Sequence, residues 1–229
     1  LATEEFPNFD VGQRSATSMA RRLQDPMAEL VKIDPKSIGV GQYQHDMNQT
    51  KLSEQLSSVV EDSVNSVGVD VNTASFALLS YVSGINKTIA RNIVAYREEK
   101  GAFTSRKELL KVAKLGPKAY EQCAGFLRIR DGKEALDNTA VHPESYAVAK
   151  ALLASMGYTE ANLQSGKNAQ LVAKLQSAKA SIPTLAEQLQ VGAYTLEDIV
   201  QELIRPGRDP REDVPAPVLR SDVLDFDDL

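Results

Sequence analysis

The chain has 229 residues, 42% of them hydrophobic, which is enough for one or two packed domains. No apolar run approaches the ~20 residues of a membrane span, so no membrane contact is expected. Net charge is −5, which by itself argues against a polyanion partner, and the single cysteine, Cys123, excludes an internal disulfide framework and fits a reducing cytoplasm.

Residues 10 to 33 have helical patterning with a break. Asp10 can cap the first piece, and Asp25-Pro26 restarts the helix because proline suits a first turn. The first ten residues are acidic and carry no apolar core, so they do not resemble a signal peptide. Lys36 to Met47 is irregular, with Gly39 and Gly41 permitting bends. Thr50 to Val67 is amphipathic, with Leu52, Leu56, Val59, Val60, Val64 and Val67 at helical spacing and Thr50 as cap.

Two helical hairpins follow. In the first, Leu79, Val82 and Ile85 lead through Gly84 and Asn86 into an outgoing helix carrying Ala90 and Ile93. In the second, Leu109, Val112 and Leu115 lead through Lys114 and Gly116 to Tyr120, repeating the spacing. Helices are expected at 73–82, 87–99, 105–112 and 117–124, with Asn72 as the N-cap of the entry helix. Gly84 can take the positive φ that the turn needs. Each outgoing helix starts with unpaired amides and a positive dipole end, a ready phosphate site. Lys87 and Arg91 share a face beside the first N-terminus, and Lys114 and Lys118 repeat the arrangement.

Charge is concentrated here. Between Asp70 and Arg130 eleven Lys/Arg face five Asp/Glu, a local +6 against −11 for the rest of the chain. A solvated helical surface would carry such charge too, so the hairpin pattern is what makes the difference. With no Trp, seven Tyr and six Phe, an extended base-stacking platform is not expected.

After Asp131-Gly132 the pattern stays helical, at 143–156, about 168–180, 183–189 and 196–204, the last with Thr195 in a capping box. Residues 205–229 carry four prolines and mixed charge, which is linker chemistry. The fold class is all-α. The division is 1–47, 48–131 with the hairpins, 132–204 helical, and 205–229 linker.

The stretch from Gly68 to Arg130 resembles the tandem helix-hairpin-helix DNA-binding module. The module's turn is Gly-hydrophobic-Gly, whereas here it reads Gly84-Ile85-Asn86 and Lys114-Leu115-Gly116. The flanking runs at 18–47, 136–146 and 202–229 resemble the Tex family of bacterial transcription accessory proteins. That resemblance implies that the chain begins in the end of an RNase H-like domain and stops before an OB-fold RNA-binding domain. Only Asp10 could be one of the nuclease acids of such a domain, so no nuclease is expected. It implies non-sequence-specific DNA or RNA binding, with RNA polymerase or other transcription proteins as candidate partners. The competing reading is a protein–protein scaffold in which the hairpins only pack.

The residues expected to meet phosphate are Gly84, Ile85, Asn86, Lys87, Thr88 and Arg91 in the first hairpin. Lys111, Lys114, Leu115, Gly116 and Lys118 are their counterparts in the second. The first is expected to supply more backbone donors, because Pro117 removes one N–H from the second. No catalysis, metal or cofactor is expected. His45 and His142 have no ligand partners at metal spacing, Cys123 reads as a core thiol, and the Asp222–Asp228 run lacks a calcium-loop pattern.

Overall fold

The computed structural model describes residues 1–39, 41–164, 169–204 and Pro206. The helices in chain order are α1 (Ala2–Glu5), α2 (Val11–Gln24), α3 (Pro26–Leu30) and α4 (Gln49–Val67). The strand β1 (Val69–Asp70) precedes α5 (Phe76–Leu79), α6 (Lys87–Lys100) and α7 (Pro117–Cys123). After β2 (Leu127–Arg128) come α8 (Tyr146–Ser155), α9 (Ala161–Gln164), α10 (Ala169–Ala178), α11 (Ile182–Leu189) and α12 (Ala193–Ile204). The fold is all-α apart from β1 and β2, which pair in parallel with Val69 opposite Leu127. The segment 205–229 lies outside the described residues except for Pro206.

Two apolar cores organise the chain. The first gathers Val64, Leu79, Val82, Ile85, Ile93, Leu109, Val112, Leu115, Cys123 and Leu127. The second gathers Leu136, Leu152, Leu153, Leu175, Leu196, Val200 and Leu203. The hairpin repeat explains the first core: Leu79, Val82 and Ile85 are buried, and so are Leu109, Val112 and Leu115. Each hairpin thus turns the same apolar positions inward, which buries two short elements neither of which could be stable alone. Burial pushes the Cys123 thiol up to about 12, so it stays protonated at neutral pH.

At the N-terminus α3 and its continuation supply the apolar contacts with the first core. Met27, Ala28 and Val31 pack on the first core, whereas α2 has no buried residue and exposes Val11, Met19 and Leu23. Asp10 caps α2 by accepting the Gln13 amide, with the Gln13 side chain reaching back.

Several caps differ from expectation. The helix α4 starts earlier, with Asn48 rather than Thr50 as cap; the Asn48 carboxamide accepts the Thr50 and Lys51 amides, each at 3.1 Å. Asn72 caps no helix. It accepts the Phe103 amide at 2.8 Å and donates to the Phe103 carbonyl at 3.0 Å, bridging to the loop between the hairpins. Ser75 takes over as cap, and α5 is correspondingly shorter. The stretch Arg106–Lys111 is a 3-10 helix, and α12 begins at Ala193, which places Thr195 inside its first turn. Pro143–Ser145 is likewise a 3-10 turn before α8.

Candidate nucleic-acid interface

The two turns are closed by the same bond. The Ile85 amide donates to the Val82 carbonyl at 3.0 Å, and the Leu115 amide to the Val112 carbonyl at 3.2 Å. The residue at the bend has positive φ in both, 81° at Gly84 and 67° at Lys114. For a lysine this left-handed conformation costs about 1 to 2 kcal/mol. The environment explains why one turn needs glycine and the other does not. A Cβ on Gly84 would sit 2.7 Å from Gln122 Cβ and 3.0 Å from the Ala119 carbonyl of α7, whereas Lys114 is exposed. Gly84 therefore serves the close approach of the hairpins to each other.

The bracing is mutual. Asn92 on α6 donates to the Ala113 carbonyl in the second turn at 2.7 Å. Asn92 and Gln122 hold equivalent places in the repeat, so each outgoing helix supports the other hairpin's turn. Asn65 of α4 adds a third support by accepting the Ser83 amide at 3.1 Å. None of these contacts is visible in either hairpin taken alone.

The helix starts differ where it matters for anions. Asn86 caps α6 with its own side chain, accepting the Thr88 amide at 3.0 Å and the Ile89 amide at 2.9 Å. Gly116 is the N-cap of α7 and has no side chain to do this. Tyr120 is the first amide of α7 bonded to a carbonyl of its own chain turn, at Gly116. Among the described residues the amides of Lys118 and Ala119 meet no acceptor. The expectation that the first hairpin offers more backbone donors is thus reversed. Pro117 does remove one donor, but Asn86 occupies two.

Side chains follow the same division. Ile85 and Leu115 are buried in the core and face no ligand. Lys87 and Arg91 are both exposed; Arg91 meets Glu4 at 3.5 Å in an exposed pair and lies over the Phe76 ring, 4.9 Å from its centroid. On the second hairpin Lys107, Lys111, Lys114 and Lys118 are all exposed. Among the described residues only Lys111 of these four has a carboxylate within 4.0 Å, Glu108 at 3.9 Å. That carboxylate mainly accepts the Thr104 amide at 2.8 Å, which holds it below its ordinary pKa.

Three basic residues of the charge count do not belong to any face. Arg106 is 1% exposed. Its guanidinium donates to the carbonyls of Leu127, Val141 and Thr139 and to the Tyr146 hydroxyl. Asp137 accepts both the Arg106 amide, at 2.8 Å, and the Tyr146 hydroxyl, at 2.6 Å. This buried knot joins the second hairpin to the first turns of the helical region. Burial and the Asp137 partner push the Tyr146 hydroxyl pKa up. Arg97 donates to the Val71 carbonyl, and Arg128 to the Gly125 carbonyl. The donors that the sequence did not single out are the Lys118 and Ala119 amides and Lys107. Lys107 falls four residues before Lys111, the spacing of one turn in the α-helix expected at 105–112, which was a usable signal although the stretch forms a 3-10 helix.

Residues 64–128 match the helix-hairpin-helix motif family, and residues 134–211 match the HHH domain family. The chain is 58% identical over 211 residues to the transcriptional accessory protein Tex of Neisseria gonorrhoeae, covering 92% of this chain and 27% of that protein. It is 52% identical over 229 residues to the protein YhgF of Escherichia coli, covering 100% of this chain and 29% of that protein. The human S1 RNA-binding domain-containing protein 1 is 38% identical over 279 residues, covering 100% of this chain and 28% of that protein. The chain therefore spans under a third of the length of each of these relatives.

Proposed function

We infer that this chain, which belongs to the Tex family, binds the phosphate backbone of nucleic acid without reading its sequence. The observation that carries the reading is the second hairpin. Exposed Lys114 and Lys118 flank a helix start whose first amides are uncapped, and Lys107 and Lys111 are exposed on the 3-10 stretch before it. Lysines and amides recognise phosphate oxygens, which are the same at every base pair. The first hairpin contributes Lys87 and otherwise supports the second through Asn92. Relatives named for transcription accessory function and for an RNA-binding domain agree with a nucleic-acid partner, DNA or RNA. No catalytic step is assigned. Among the described residues no helix is long and apolar enough to cross a membrane.

A specific observation also favours the scaffold reading for one half of the module. The capped amides of the first hairpin and the fit of Gly84 against α7 are packing features. We assign the first hairpin that role. RNA polymerase or another transcription protein then remains a proposed partner of the surfaces outside the second hairpin.

A salt titration tests the reading. An unrelated duplex and a single strand should bind with Kd on the order of 10⁻⁴ to 10⁻⁶ M at physiological salt, and log K should fall linearly with log salt. Sequence changes in the duplex should leave Kd unaltered. Absence of salt-dependent binding to every nucleic acid tried would leave the scaffold reading alone.

A further inference from the structure

The second hairpin is fastened to the loop that opens the helical region. The Lys133 amide donates to the Thr104 carbonyl at 2.9 Å, and the Ile129 amide to the Asp137 carbonyl at 3.0 Å. Asp137 in turn accepts the Arg106 amide at 2.8 Å. Gly132 lies against the same place, since a Cβ there would meet the Thr104 carbonyl and Ile129 at 3.0 Å. Backbone bonds thus set Lys133 beside the start of the 3-10 stretch Arg106–Lys111.

A 3-10 helix has three residues per turn, so positions three apart share an edge. Arg106 and Leu109 form the buried edge of this stretch, and Lys107 and Leu110 an exposed one. Lys107 is therefore turned away from the core, and Lys133, across the bond to Thr104, is exposed as well. The matching place in the first hairpin is closed: Ala77, thirty positions before Lys107, is buried.

The carboxylates on these segments are Glu108, Asp131 and Glu134. Glu108 accepts the Thr104 amide at 2.8 Å, and Glu134 takes Lys150 at 2.7 Å, while Asp131 is exposed. Among the described residues Lys107 and Lys133 have no carboxylate within 4.0 Å. The exposed cations Lys107, Lys111, Lys114, Lys118 and Lys133 outnumber these carboxylates, so the surface stays positive across the junction.

We propose that the phosphate-binding surface crosses the boundary of the hairpin module: a nucleic-acid backbone seated at the start of α7 runs along the 3-10 stretch past Lys107 and onto Lys133. The inference rests on phosphate binding at the second hairpin and adds to it a contact from the helical region. From the start of α7 to Lys133 the track is on the order of 25 Å, about seven base pairs of a duplex. The Arg106 and Asp137 bonds hold both segments in place before binding, which spares the ordering cost of bringing them together. Lysine ammonium groups meet phosphate as point charges on flexible stems, so the added contact carries no sequence information.

The test uses the whole chain and an unrelated DNA duplex about twice as long as the track. Lys133→Ala keeps the amide bond to Thr104. It should weaken binding about 2- to 3-fold at low salt and flatten the slope of log K against log salt by about 0.9 unit, as Lys107→Ala should. Lys51→Ala, which removes an exposed lysine at the start of α4, should leave the slope unchanged. Placement is read separately. Cys123 is buried and stays protonated, so Lys133→Cys supplies the reactive thiol for a photo-cross-linker. Irradiation should join that position to the duplex, and Lys51→Cys treated alike should not be joined. A slope unmoved by Lys133→Ala, or equal cross-linking from the two positions, would overturn the extension. If Lys114→Ala/Lys118→Ala still weakens binding in that case, the site at the second hairpin stands without it. Absence of salt-dependent binding by the parent chain removes both.

Discussion

The two hairpins have the same turn bond, the same positive φ at the bend and the same buried positions, yet they differ at the surface. One residue accounts for much of this. Asn86 occupies the amides at the start of α6, and Gly116 leaves those of α7 open. The bend residue adds the rest: Gly84 is pressed against α7, while Lys114 carries a charge into solvent. A duplicated backbone thus carries one copy whose first helix amides are capped by a side chain and one whose are not. Equivalent folds give equivalent geometry, and the chemistry follows the side chains placed on it.

The largest expected effect concerns how each hairpin is anchored. Arg106→Met should destabilise the chain by about 3 to 5 kcal/mol in urea unfolding, because it leaves Asp137 and several buried carbonyls without partners. Asn72→Ala, which removes the brace to Phe103, should cost about 1 to 3 kcal/mol. If the two costs came out in the opposite order, the second hairpin would not be the more firmly tied.

The bend residues should respond with opposite sign. Gly84→Ala meets both the 2.7 Å approach of Gln122 and the positive φ, and should cost about 2 kcal/mol or more. Lys114→Gly relieves strain and should raise stability by roughly 1 kcal/mol or slightly less. Thermal or urea unfolding reads both, and a loss of stability in Lys114→Gly would contradict the strain.

Affinity should divide the hairpins by a smaller margin. Lys114→Ala/Lys118→Ala should weaken binding to any duplex about 10-fold at low salt and flatten the salt slope by roughly 2 units. Lys87→Ala/Arg91→Ala should change the slope by roughly 1 unit at most, since Arg91 is engaged by Glu4. Equal losses in the two double variants would remove the distinction.

Asn86→Gly is the finest test. It should cost only a few tenths of a kcal/mol in stability, because glycine also suits an N-cap. It frees the Thr88 and Ile89 amides, so affinity should rise about 2-fold as the first hairpin comes to resemble the second. Unchanged affinity with unchanged stability would mean that these amides do not reach phosphate.

Sequence alone determined the all-α class, the hairpin repeat and its buried positions, because apolar spacing and turn residues act within a few neighbours. Leu79, Val82 and Ile85 announce their burial by their period, as do Leu109, Val112 and Leu115. The resemblance to the Tex family was also legible in local runs of residues. Tertiary structure decided which hairpin is open. Asn86 could be read as a tolerant turn residue, but only its placement shows that its carboxamide takes two amides. Asn72 has the chemistry of a cap and serves as a brace, because Phe103, thirty-one positions away, arrives beside it. Arg106, Arg97 and Arg128 count as charge in the sequence, yet packing withdraws them from the surface and gives them carbonyls. A residue's type sets what it can bond; which partner comes within about 3 Å depends on contacts between segments remote in the chain.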